Sequence, residues 1–238
     1  MSASGQLGRI IHHDPKSREH AFTAAAGRPK SHVRHALNAP LVDQFFLSGC
    51  VGFSGTNMLN TTAGIRSRRK FNAVVPIGKA GSSYLGNDDG IRNYHEATLR
   101  DPYPGQYPPD DEGSSAIGLM KWWKAAGVIS SYAWTFTFDA FLAALSRQPV
   151  LCGTNWYDDM MSTGSDGVIH STASGKKSGH EYLATEIIPS KKLLGFEQSW
   201  GEHPQGFGDG GGRFYMSYDL AEELIIHQEG DVAVPELL

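Results

Sequence analysis

The sequence predicts an α+β protein in two lobes, helical first and β-rich second. Two patterns carry that prediction. Apolar residues recur at helical spacing between residues 50 and 146, and short apolar segments separated by Gly- and Pro-rich turns follow from residue 150 onward. Length agrees: 238 residues with 40% hydrophobic content fit one large domain or two small lobes around a shared core. Such a chain is too hydrophobic for disorder, its two cysteines cannot staple a disulfide scaffold, and it contains no 18-residue apolar run.

The elements follow in order. Residues 1–39 read as an irregular basic arm, with Pro15 and Pro29 breaking any helix and Pro40 just beyond it. From Cys50 to about Leu59 the pattern suits a buried helix, with Val51, Phe53, Met58 and Leu59 as apolar contacts and Gly52 and Gly55 permitting close packing. Residues 71–77 read as a short strand. Residues 78–112 read as loop, rich in proline at 102, 104, 108 and 109. A helix capped by Ser114 or Ser115 then places Ile117, Met120, Trp123 and Ala126 on one face and stops at Gly127. Another runs from about Asp139 to Ser146 and ends before Pro149, and 150–152 is a buried strand. Residues 181–188, 192–198 and 213–218 read as strands, and a short amphipathic helix follows from about Asp219 to Ile226. The Gly206–Gly212 run lacks the Lys and Ser/Thr of a phosphate loop and reads as a turn between strands.

Charge is uneven. Residues 1–36 hold six Lys and Arg against two Asp and Glu, and five of the ten histidines, whereas the whole chain carries −4. A basic arm binds an acidic partner or wraps its own acidic body. Nucleic acid is not an expected partner: the only other basic run, Arg66–Lys70, has a single aromatic neighbour, Phe71. Nor is a metal expected, since no His-Glu-x-x-His motif occurs and His12-His13 lies in the arm. No organic cofactor is called for.

The chemistry concentrates on Cys50. At the start of a helix, free N–H groups and the helix dipole favour a thiolate. Gln44 stands six residues before it; His180 lies far downstream in Gly179-His180-Glu181; Gln198 opens Gln198-Ser199-Trp200-Gly201. These are a thiol, a side-chain amide donor, an imidazole base and an orienting amide. Cys152, in an apolar strand, reads as core. His95, His170, His203 and His227 read as surface or loop residues, and Trp122, Trp123, Trp134 and Trp156 as core aromatics.

Taken in order, these pieces resemble the papain family of cysteine peptidases. The shared features are Gln44, Cys50-x-x-Phe53-Ser54 opening the first helix, Gly113-Ser114-Ser115-Ala116 before the next, Gln148-Pro149-Val150, Gly179-His180 and Ser199-Trp200-Gly201. A Gly-rich turn and the strand 213–217 complete the series, and the likeness spans about residues 40–218.

The resemblance implies a helical left lobe, about 40–130, and an antiparallel β-barrel-like right lobe, about 131–238. Cys50 would attack a peptide bond with His180 as base, passing through an acyl thioester. Gln44 and the Cys50 N–H would hold the oxyanion, and Gln198 would orient His180 under Trp200. Ser48, Gly49, Gly113, Ser114 and Trp200 would line the substrate cleft, with Gly113 and Ser114 pairing with substrate backbone as an added strand. Two positions depart from the family pattern: Gln198 stands where Asn is usual, and Val51 where Trp is usual. About 40 residues before Gln44 are too few for the family's inhibitory pro-segment.

A short arm, free thiols and no apolar signal core in Met1–Arg9 resemble compact prokaryotic or bacteriophage members. That implies a cytoplasmic or virion-associated protein without a membrane segment. The resemblance also implies a peptide or protein substrate, with other virion proteins as partners of the arm. The alternatives are a papain-like structural or binding component of a phage virion and a cell-wall peptide amidase.

Overall fold

Ten consecutive residues, Cys50–Leu59, form helix α1, and every one of them is buried. Its glycines explain how. A Cβ on Gly52 would lie 2.3 Å from the backbone nitrogen of Tyr94, and one on Gly55 would lie 2.5 Å from Leu119 Cδ2. Both are inside van der Waals contact, so only glycine lets two neighbouring helices approach. Those neighbours are α3 (Asn87–Thr98) and α4 (Ala116–Ala125); α2 (Ile65–Val74) lies between α1 and α3 in sequence. Polar side chains also join them. Asn93 donates to Thr56 Oγ1 at 2.9 Å and accepts from Trp123 Nε1 at 2.9 Å. The computed structural model describes residues 7–10, 15–23, 28–74, 83–202, 207 and 212–238.

Seven strands among these residues form one antiparallel sheet: β1 (Val33–Arg34), β2 (Ile129–Trp134), β3 (Val150–Tyr157), β4 (Lys177–Ile188), β5 (Leu193–Glu197), β6 (Arg213–Ser217) and β7 (Asp231–Leu237). The order is β2-β7-β3-β4-β5-β6, with β1 on β4. Side chains alternate across it. Val150, Cys152, Trp156, Tyr182 and Ala184 join one core with α5 (Phe138–Leu145) and α6 (Tyr218–Glu222). Leu151, Leu183 and Ala233 join the other, with α1 and α4. Thr137 caps α5 and Ser217 caps α6, each accepting a backbone N–H three residues on, and a π-helical turn, Glu223–His227, extends α6. The architecture is α+β, as the sequence predicts.

Three assignments need correction. Residues 71–74 are helical, not extended: they end α2, while 75–77 lie outside the described residues. The 78–112 loop contains α3. That helix buries Asp89, Asn93 and Glu96 beside Tyr94 and Ala97, so it shows no apolar periodicity to read. Strands β2 and β7 were not expected, and β3 and β4 extend beyond their predicted ends. His12-His13, His203 and residues 208–211 of the Gly-rich run lie outside the described residues.

Described parts of the arm lie on the body. Ala21 bridges Trp134, Leu37 bridges Thr61, and Arg28 and His32 pair with Asp139 and Glu186 at 2.7 and 2.6 Å. Among the described residues no helix is long and apolar enough to cross a membrane.

Candidate active site

Cys50 is the first residue of α1, after Gly49, and is wholly buried. Helix α1 packs against β4, where Ser54 Oγ donates to the Glu181 carbonyl at 2.9 Å. The thiol has the backbone N–H groups of Glu181 and Gly8 as hydrogen-bond neighbours.

His180, one residue before Glu181, is fully buried on β4. Its Nε2 lies 2.6 Å from Gln198 Oε1. An amide oxygen only accepts, so Nε2 carries the hydrogen and Nδ1 is the basic nitrogen. Nδ1 is buried and makes no hydrogen bond. Trp200 stacks on the imidazole at 5.0 Å and 26°, and Trp156 meets it edge-on at 4.9 Å and 72°. Trp156 is therefore more than the core aromatic expected: it forms a wall of the histidine cage. The β3–β4 register, which pairs Asn155 with Gly179 and Thr154 with His180, is what places it there.

The remaining candidates are held as follows. The Gln198 N–H donates to the Gly212 carbonyl at 3.1 Å, and Asn57 of α1 donates to the Gln198 carbonyl at 3.0 Å. Gln44 pairs its backbone N–H with Ser199 O at 2.8 Å, accepts from Ser199 Oγ at 2.5 Å and donates from Nε2 to Leu47 O at 2.7 Å. Ser48 is fixed by its N–H on Asp111 Oδ1 at 2.9 Å. Gly113 has φ +95°, which favours glycine, and its N–H donates to Tyr94 Oη at 3.1 Å. Ser114 Oγ donates to Asp101 Oδ2 at 2.7 Å.

Residues of the chain's own arm pair with Ser114 and with Gly179, the neighbour of His180. Arg9 N–H donates to Gly179 O at 3.1 Å, Ile10 N–H to Ser114 O at 2.9 Å, and Ser114 N–H to Gly8 O at 2.9 Å. Residues 8–10 thus run as an added strand, parallel to Ser114. Three extended residues span the gap between Ser114 and Gly179. The Gly8 backbone N–H favours the thiolate form of Cys50, against the larger effect of burial. No signal in the sequence marked Gly8 or Arg9.

With the arm seated, both reactive groups favour their neutral forms. Burial first, then the Glu181 charge, pushes the Cys50 thiol up to about 12. Burial lowers the His180 imidazole to about 4, against a smaller raising effect of the Gln198 hydrogen bond. The thiolate expected at a helix N-terminus is therefore not favoured here, because desolvation outweighs the dipole.

The overall arrangement, helices packed on both faces of an antiparallel sheet, matches solved structures along nearly the full chain. Xylellain, a cysteine protease from Xylella fastidiosa, superposes with a TM-score of 0.59 at 17% identity, covering 100% of this chain and 98% of that one. The fold is that of papain-like cysteine proteases. The Amb a 11 cysteine protease of ragweed pollen, in its proform, gives 0.54 at 16% identity over 99% of this chain and 66% of its own. Digestive procathepsin L 3 of Tenebrio molitor larval midgut gives 0.52 at 15%, over 99% and 76%. No family model matches the chain, and no curated protein does.

Proposed function

We propose that the chain is a papain-like cysteine peptidase with Cys50 as nucleophile, His180 as general base and Gln198 as the residue that positions His180. One observation carries the reading. Gln198 Oε1 holds His180 Nε2 at 2.6 Å inside the Trp200–Trp156 cage, leaving Nδ1 unpartnered beside the strand residue whose N–H meets the Cys50 sulfur.

The chemistry follows from that geometry. Nδ1 takes the thiol proton, and the sulfur attacks the carbonyl carbon of a peptide. The tetrahedral oxyanion is held by the Cys50 N–H, which lies in the first turn of α1 and has no intrahelical partner, together with the Gln44 amide. The imidazolium then protonates the leaving amine, and water hydrolyses the thioester with His180 again as base. Gln in place of Asn is compatible with this scheme: the extra methylene is accommodated and the carbonyl still reaches the ring. Gly113 and Ser114, which now pair with residues 8–10, would pair with substrate backbone in the same way.

The test is covalent labelling by a peptidyl vinyl sulfone, located by mass spectrometry, in the wild-type chain and a Gly8→Ala chain, with Cys50→Ala as control. Labelling at Cys50, together with casein hydrolysis lost in Cys50→Ala, is expected. Labelling absent from Cys50 in both chains would rule the reading out. No observation favours a virion component, a cell-wall amidase or a bacteriophage source, and the arm's described contacts are with its own body.

A further inference from the structure

The longest stretch of the sequence without a carboxylate runs from Gln44 to Asn87. It holds five cations, Arg66, Arg68, Arg69, Lys70 and Lys79, in a chain of net charge −4. Four of them lie on α2, which has no acidic residue of its own. The helix is held in place from its inner side. Phe71 is buried in the core shared with α1 and α4, and Ser67 Oγ accepts the Leu238 N–H at 3.0 Å just beyond β7. Ser67 and Phe71, four residues apart, thus turn inward. Arg66, Arg69 and Lys70, at i, i+3 and i+4, are exposed on the outer side, with Arg68 half-buried beside them.

This charge is uncompensated. Other arginines are engaged: Arg28, Arg92, Arg100 and Arg213 pair with carboxylates, and Arg18 and Arg147 lie over the rings of Phe136 and Phe22. Among the described residues none of the four cations of α2 has a carboxylate or ring partner. Arg68 Nη1 is buried without a hydrogen-bond partner, and burial, then the Arg69 charge, pushes its guanidinium down from its ordinary value. Like charges fixed on a packed helix attract an anion from outside the fold.

The residue types select the anion. Phe71 faces inward, so the helix offers no aromatic ring for a nucleic-acid base to stack on. Val74, at its end, is the one large apolar residue it exposes, too little to enter a bilayer. Arginine forks match carboxylates, which they bind through paired N–H groups.

We propose that the outer face of α2, formed by Arg66, Arg69 and Lys70 with Arg68 at its edge, is a docking surface for an acidic polypeptide segment, one carrying several Asp or Glu in succession. Helix α1 separates this face from the candidate active site, since its ten residues span about 15 Å between Cys50 and the turn leading into α2. The proposal is therefore independent of the peptidase reading.

The test uses the full chain and a fluorescein-labelled octaglutamate peptide, followed by fluorescence anisotropy, with octaglutamine as control. Octaglutamate should bind and octaglutamine should not; equal behaviour of the two overturns the proposal. The Kd should weaken about tenfold or more from about 20 to about 200 mM salt, and an affinity indifferent to salt overturns it. The triple variant Arg66→Gln, Arg69→Gln, Lys70→Gln should weaken binding about tenfold, the worth of three exposed ion pairs. Arg69→Gln alone, expected to weaken it about twofold, takes its place should the triple variant not fold. Undiminished binding in these variants overturns the proposal and assigns the peptide to another basic segment, such as the N-terminal arm. Octathymidylate, or phosphatidylcholine vesicles with about 30% phosphatidylserine, are titrated in parallel. Either one binding more tightly than octaglutamate, and losing that advantage in the triple variant, overturns the proposal in favour of nucleic acid or membrane.

Discussion

Adding one methyl group at Gly8 is expected to unseat the arm and expose the proposed nucleophile. A Cβ there would lie 1.9 Å from Ser48 O, 2.3 Å from Ser48 C and 2.5 Å from its Cα, far inside contact distance. These are backbone atoms just before α1, pinned by the Ser48 N–H on Asp111, so the arm must give way. Its three backbone hydrogen bonds to Gly179 and Ser114 are lost with it. At about 1 kcal/mol each, the change is about 3 kcal/mol, or about a hundredfold in the population of open cleft. The assay is the pseudo-first-order rate of Cys50 carboxamidomethylation by iodoacetamide at neutral pH, read by mass spectrometry. Buried Cys152 serves as an internal unreactive thiol. A rate about a hundredfold above wild type is expected. A folded Gly8→Ala protein whose Cys50 reacts no faster than wild type would refute the conclusion that the seated arm controls access.

Three further outcomes are expected. Gln198→Ala removes the acceptor at 2.6 Å from His180 Nε2 and should lower kcat by about tenfold with little change in KM, measured in the Gly8→Ala background; an unchanged kcat contradicts the positioning role. Gly52→Ala places a Cβ 2.3 Å from the Tyr94 nitrogen and should destabilise the chain by about 1–3 kcal/mol in urea unfolding; a neutral result would mean that α1 and α3 part easily. His180 concerns pH. Its imidazole is held at about 4, against 6.5 in the unfolded chain, so below pH 6.5 the unfolded state binds a proton that the native state refuses. The stability associated with His180 is complete above pH 6.5 and is lost as pH falls through 4, at most about 3 kcal/mol. His180→Phe should therefore gain about that much relative to wild type between pH 7 and pH 4, and a constant difference across that range contradicts it.

Part of the candidate site was legible because its chemistry is tied to residue type and order. Gln44, Cys50, His180, Gln198 and Trp200 are each singled out by the sequence, and the fold joins His180 to Gln198 and Trp200, and Gln44 to Ser199. Helix α1 was legible for the same reason that it is buried, a run of small and apolar residues. Helix α3 was not, because its inner face is Asp89, Asn93 and Glu96, held by hydrogen bonds and ion pairs with Gly86, Thr56, Arg92 and Arg100 rather than by apolar burial. Trp156 could not be read as a wall of the histidine cage, since its position depends on the β3–β4 register. Glu181 and Asp231, the two carboxylates beside Arg9, are far apart in sequence and meet only through strand order. The arm's place in the cleft was hidden too, since backbone hydrogen bonds carry it and three short residues leave no pattern.

The arm acts on the proposed nucleophile through both burial and charge. Burial is the largest influence raising the Cys50 thiol, the charge of Glu181 adds to it, and that of Arg9 opposes it. When the arm leaves, water reaches the sulfur and the burial penalty falls. Burial and then the Asp231 charge hold the Glu181 carboxyl well above the usual carboxylate range, and Arg9 opposes them. With the arm gone that opposition is lost, Glu181 favours its neutral form more strongly, and its charge ceases to hold the Cys50 thiol up. Relief of burial and loss of the Glu181 charge then act in the same direction, so an unseated arm should make Cys50 the more reactive thiol, as the iodoacetamide rate reads.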